Sequence, residues 1–156
     1  MKKAYLLILF ISIASQVFGQ NNCLNEMIID CLHAYVNHGA ELNNNNENEN
    51  GIYICKDGLP LGFPYEKITN ATFFSAEFFP SYPNPMKKEL RTGIKTLFVS
   101  FELIGNQLRI TITSRRVKSV NKKTLDVGIS DWGQFDYVYS CKDGKWIFES
   151  SRYEGI

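Results

Sequence analysis

The stretch IKTLFVSFELIGNQLRITITS, residues 94–114, decides the fold class. Apolar and polar residues alternate on both sides of Gly105-Asn106, which is the period of half-buried strands joined by a tight turn. A two-residue turn pairs Leu103 with Leu108, Phe101 with Ile110 and Val99 with Ile112 on one face. The other face then pairs Glu102 with Arg109 and Ser100 with Thr111, and an opposite-charge pair across two strands contributes about 0.2–1 kcal/mol. A slip of one residue would turn every one of these apolar side chains to the wrong face, so the register is strongly specified.

Toward the C-terminus the same construction is expected. With Asp143-Gly144 as a two-residue turn, Cys141 faces Trp146, Tyr139 faces Phe148 and Tyr137 faces Ser150. Between the hairpins Leu125, Val127 and Ile129 alternate in a shorter strand, and Ser130-Asp131-Trp132-Gly133 reads as a turn. The tetrapeptide Cys-Lys-Asp-Gly occurs at 55–58 as well as 141–144. The first copy runs into Pro60, which argues against a return strand, and the match is too short to be a domain repeat.

Toward the N-terminus, CLNEMIIDCLHAYVNHG (residues 23–39) places Leu24, Met27, Ile28, Cys31, Leu32, Tyr35 and Val36 on one helical face. Asn21 or Asn22 supplies a cap, and Gly39 a stop. One helix followed by hairpins predicts an α+β domain, an N-terminal amphipathic helix packed on a mainly antiparallel β-meander. By layout alone this resembles cystatin-like and nuclear-transport-factor-2-like domains, a resemblance that carries no functional residues.

The first nineteen residues, with two lysines, an apolar run from Ala4 to Ala14 and an end at Gly19, have the three-part layout of a secretory signal peptide. The run is too short for a stable anchor. The expectation is therefore cleavage after Gly19 and one exported domain from 20 to 156, without stable membrane insertion, in the periplasm or the medium. The short lysine-led leader fits a bacterial source. Residues 41–51, ELNNNNENENG, read as a flexible polar connector.

The four cysteines would then meet an oxidising compartment. Cys23 and Cys31 are eight residues apart on the helix, roughly 12 Å of rise, beyond the ~7 Å a bridge spans between Cα atoms. A helix cysteine with a strand cysteine, or Cys55 with Cys141 alone, are the pairings left; Cys55–Cys141 is the candidate disulfide, and buried thiols are the alternative. No metal site is expected, since neither C-x-x-C nor H-x-x-x-H occurs.

The net charge of +1 hides a polarity: residues 87–123 hold ten basic and two acidic side chains, between two acidic flanks. Within this stretch Arg109, Arg115, Arg116 and Lys118 form a candidate basic patch for an acidic protein, glycan or lipid head group. An exported chain so close to neutral is a poor nucleic-acid binder. All five prolines fall between residues 60 and 85, alongside Phe73, Phe74, Phe78, Phe79 and Tyr82, which makes a candidate aromatic binding loop; the bland alternative is that these rings fill the core.

The chain has no Gly-x-Ser-x-Gly, phosphate loop or zinc motif, and no motif implies a cofactor. His33 falls on the polar side of the helix and His38 in its last turn, where a structural role suffices. The sequence thus points to a non-enzymatic protein-partner module of inhibitor or immunity type. A small-ligand pocket, or an acid–base pocket of Asp30, Tyr35 and a strand carboxylate, is the alternative.

Overall fold

A computed structural model of the chain describes residues 23–39, 52–75, 84–121 and 124–155. The leader, the connector at 41–51 and the helix cap at Asn21 or Asn22 lie outside the described residues. Helix α1 covers residues 23–39. It is followed by β1 (Ile52–Cys55), β2 (Ala71–Phe74), helix α2 (Asn84–Thr92), β3 (Ile94–Ile104), β4 (Gln107–Asn121), β5 (Thr124–Ser140) and β6 (Lys145–Gly155). The strands form one sheet in the order β2-β1-β3-β4-β5-β6, and the fold is α+β.

The β3–β4 hairpin has the register set by its alternation: Leu103 pairs with Leu108, Phe101 with Ile110, Val99 with Ile112 and Glu102 with Arg109. From β3 to β6 the sheet is an antiparallel meander. The sheet as a whole is mixed, because β1 runs parallel to both β2 and β3. Parallel neighbours need a crossover. The one from β1 to β2 contains only the two 3-10 turns Lys56–Gly58 and Tyr65–Lys67, and the buried Phe63 and Ile68 between the strands join the same core as α1.

Each face of the sheet carries its own core. On one face, Met27, Ile28, Cys31, Leu32 and Tyr35 of α1 bury against Leu97, Val99, Ile110, Ile112 and Phe135. Leu24 and Val36, at the ends of the expected stripe, are partly buried. On the opposite face, Leu90 of α2 closes a smaller cluster with Cys55, Phe74, Ile94 and Val117. That second helix lies in a stretch the sequence pattern did not mark as helical.

Three expectations need correction. The final hairpin does not turn at Asp143-Gly144 alone: Ser140 pairs with Lys145, Tyr139 with Trp146 and Tyr137 with Phe148. The turn is four residues long because the Ser140 hydroxyl takes a hydrogen bond from the Asp143 amide, while Gly144 adopts φ 63° and its amide donates to Ser140 O. Residues 130–133 are no turn either. β5 runs unbroken from Thr124 to Ser140, with a bulge at Ser130 where the register shifts between Ser114 and Arg115. Gly133 is needed for packing: a Cβ there would lie 2.7 Å from the Tyr35 ring and 3.2 Å from that of Tyr153. The Cys55–Cys141 disulfide is absent, since Cys55 is buried in the α2-side core and Cys141 is exposed on the β5–β6 turn.

The two Cys-Lys-Asp-Gly copies therefore do different work. The second makes a hairpin turn. The first ends an edge-side parallel strand in a 3-10 turn pressed so close to β3 that a Cβ on Gly58 would stand 1.8 Å from the carbonyl oxygen of Val99.

Candidate functional site

Two contacts fix the direction of α1. Cys31 Sγ lies 3.3 Å from Tyr137 OH, and Tyr35 OH donates to Asp131. The helix thus runs antiparallel to β5, and its N-terminal end points toward the two hairpin turns. The seventeen residues of β5 extend roughly 56 Å, whereas a helix over 23–39 rises only about 25 Å, so α1 covers less than half the length of β5 and leaves its Thr124 end uncovered.

At the hairpin end apolar side chains stay bare on the strands to either side of the helix. Phe101 (44 % exposed), Leu103 (64 %) and Phe148 (53 %) stand on the α1 side, with Tyr139 beside them. Ile104 and Ile147, on the reverse face of the same two hairpins, are also half exposed. The register sets Leu103, Leu108, Tyr137 and Phe148 in one row across four strands; Leu108 and Tyr137 in the middle are buried, and Leu103 and Phe148 at the two ends are bare. Tyr137 and Phe148 meet edge to face with ring centroids 5.5 Å apart, and Tyr139 meets Trp146 at 5.3 Å. Exposed Glu102, Gln107, Lys145 and Glu149 alternate with these apolar residues and bring charges of both signs to the reverse face of the hairpins. Single exposed apolar residues are ordinary, but several large ones gathered at one end of a sheet mark a contact surface.

At the other end of α1, Asp131 accepts from Tyr35 and stands 3.3 Å from Lys95 Nζ, and the His38 ring stacks on Tyr153 with centroids 3.9 Å apart. Burial raises the carboxyl of Asp131 above its ordinary value. Tyr35 does meet a strand carboxylate here, but Asp30 is exposed on α1 and is not part of the group. Burial, first of all, pushes the Cys31 thiol up to about 11. Such a thiol is inert at neutral pH. A cleft of about 440 Å³ opens between α1 and β1, lined by Leu32, His33, Val36, Ile54, Ile68 and Asn70 among others. Among the described residues no three His, Cys, Asp or Glu side chains group as metal ligands, and no helix is long and apolar enough to cross a membrane.

The candidate basic patch is divided by strand alternation. Arg109 and Arg115 lie on the α2 face, where Arg109 pairs with Asp136 at 2.9 Å and the Arg115 guanidinium sits 4.5 Å over the Phe98 ring. Arg116 and Lys118 take the alternate positions; Arg116 donates to the carbonyl of Thr92, and Lys118 is paired with Asp126 in the β4–β5 register. Of the aromatic loop, Phe74 is core on the α2 side, and Phe73 is half-buried against Phe63 and Tyr65. Phe78, Phe79 and Tyr82 lie outside the described residues.

The hairpin-end patch escaped the sequence reading because its residues carry the same alternation as core positions. Helix width was the available signal: a helix about 10 Å across covers two or three strands spaced about 4.8 Å apart, so the outer strands of a four-strand meander keep apolar residues bare.

Comparison with protein-family models, with curated proteins and with solved structures finds no match. Function has to be argued from the surface itself.

Proposed function

We propose that this chain is an exported, non-enzymatic binding module that takes a protein partner on the hairpin end of its sheet, in the manner of an inhibitor or immunity factor. The observation that carries the reading is the exposure of Phe101 and Leu103 on one side of α1 and of Phe148 on the other. Aromatic and aliphatic anchors of this kind suit a protein surface with complementary apolar grooves, because desolvating such rings supplies most of the affinity of an interface. Export is supported by the three-part leader at 1–19, and the expected mature chain begins at Gln20.

The test replaces Leu103 and Phe148 by serine. Loss of the co-purifying partner from the cell envelope or medium, with the melting temperature unchanged, is the expected result; a variant retaining the partner would refute the site. Terminal sequencing of the exported protein checks the leader separately.

A second reading rests on the cleft between α1 and β1. Its volume suits a small apolar ligand with one polar end, held by His33 and Asn70. That reading expects thermal stabilisation by a small molecule, abolished when Val36 is replaced by phenylalanine to fill the cleft.

A further inference from the structure

We propose that Cys23 and Cys141 form a reversible disulfide that fastens the start of α1 to the β5–β6 turn. In the structure both are thiols, and both are exposed.

Three observations bring them together. Cys23, Met27 and Cys31 recur every four residues and so lie in one row along α1. The flank they occupy faces β5 and β6, because Cys31 touches Tyr137 and the His38 ring stacks on Tyr153. From the Cys31–Tyr137 contact, eight helical residues rise roughly 12 Å to Cys23, and four strand residues extend roughly 13 Å to Cys141, toward the same end of the molecule. Leu24, next to Cys23, and Trp146, which pairs with Tyr139 near the end of β5, both pack on the α1-side core. Cys141 is the first residue of the turn, directly after β5 ends at Ser140.

Exposure separates this pair from the other two cysteines. Cys31 and Cys55 are buried, and the Cys31 thiol is held protonated by that burial, so an external oxidant reaches only the outer pair. The oxidant is a small or protein-borne disulfide. One thiolate attacks it and releases the first thiol; the second thiolate then displaces the other half of the mixed disulfide. Two electrons pass to the reagent, which leaves as two thiols, and the two cysteines lose their protons.

The test treats the folded full-length chain with oxidised glutathione and maps the product by intact mass and by alkylation under denaturing conditions. The expected product is a monomer lighter by two hydrogens, with a Cys23–Cys141 peptide pair. That product disappears in C23S and in C141S and persists in C31S and C55S. Its denaturation midpoint is higher than that of the reduced protein. The proposal is overturned if Cys23 and Cys141 each end as a mixed disulfide with glutathione, if bridges join only separate chains, or if all four thiols remain. Glutathione supplies the oxidant in vitro, so the outcome is independent of export and of any partner.

Discussion

Asp131 and Asp136, both on β5, respond to pH in opposite senses. For Asp131 burial dominates and the carboxyl is raised, so the folded state holds its proton longer than the unfolded chain does. Stability from this group is therefore complete below the ordinary aspartate value of about 3.9 and is lost as pH rises through the folded value. For Asp136 burial also opposes the charge, but hydrogen bonds from Arg109 and Gln134 outweigh it and lower the carboxyl. Its contribution is present above about 3.9 and fades as pH falls through the folded value. Urea unfolding at a series of pH values should show Asp131→Asn gaining on the native chain as pH rises above the ordinary range, and Asp136→Asn losing its deficit in strong acid. A pH-independent difference for Asp131→Asn would mean that charge burial is not what sets its value. Two glycines are equally exacting. Gly58→Ala would drive a methyl into the Val99 carbonyl and should cost about 3 kcal/mol or more, because backbone faces it and cannot rotate away. Gly133→Ala meets the Tyr35 and Tyr153 rings instead, which can give way, and about 1–3 kcal/mol is expected in chemical denaturation.

At the scale of the element, position along the strands decides the effect of an apolar truncation. Ile110 and Ile112 lie under α1 and are fully buried, so Ile112→Ala should cost about 2–5 kcal/mol. Phe148 stands on the edge strand β6 of the same meander, beside the helix, and is 53 % exposed. Phe148→Ser should change stability by about 1 kcal/mol or less while removing an anchor for the proposed partner. Equal losses from the two substitutions, read as melting temperatures, would show that Phe148 is core and would withdraw the hairpin end as an interface. The β5–β6 turn shows why the second register departed from expectation. The two-residue reading supplied an apolar cross-strand set, but the four-residue turn adds the Ser140–Asp143 hydrogen bonds and still pairs Tyr139 with Trp146 and Tyr137 with Phe148. A shift of two residues preserves the face pattern, so alternation cannot distinguish the registers; local turn bonding does.

For the whole molecule, stability should fall from the centre of the sheet to its edges. β4 and β5 are paired on both sides, while β2 and β6 are the edge strands. Native-state hydrogen exchange should find the slowest amides at Ile110 and Ile112 and the fastest strand amides in β2 and β6. Uniform protection across the sheet would contradict that order. The β6 edge carries Arg152 and Glu154, charges of the kind that discourage edge-to-edge pairing. What the sequence determined by itself was local: the α1 face from Leu24 to Val36, and the register of β3 on β4, because periods of 3.6 and 2 and a Gly-Asn turn act between residues close along the chain. The parallel placement of β1 between β2 and β3, the use of Phe74 and Cys55 in a second core under α2, and the division of Arg115 from Arg116 between opposite faces depended on contacts between distant segments. Tertiary structure also decided which alternating residues became core and which became surface: α1 covers Leu108 and Tyr137 on the central strands and leaves Leu103 and Phe148 beside them exposed, because a helix about 10 Å across spans only two or three strands about 4.8 Å apart.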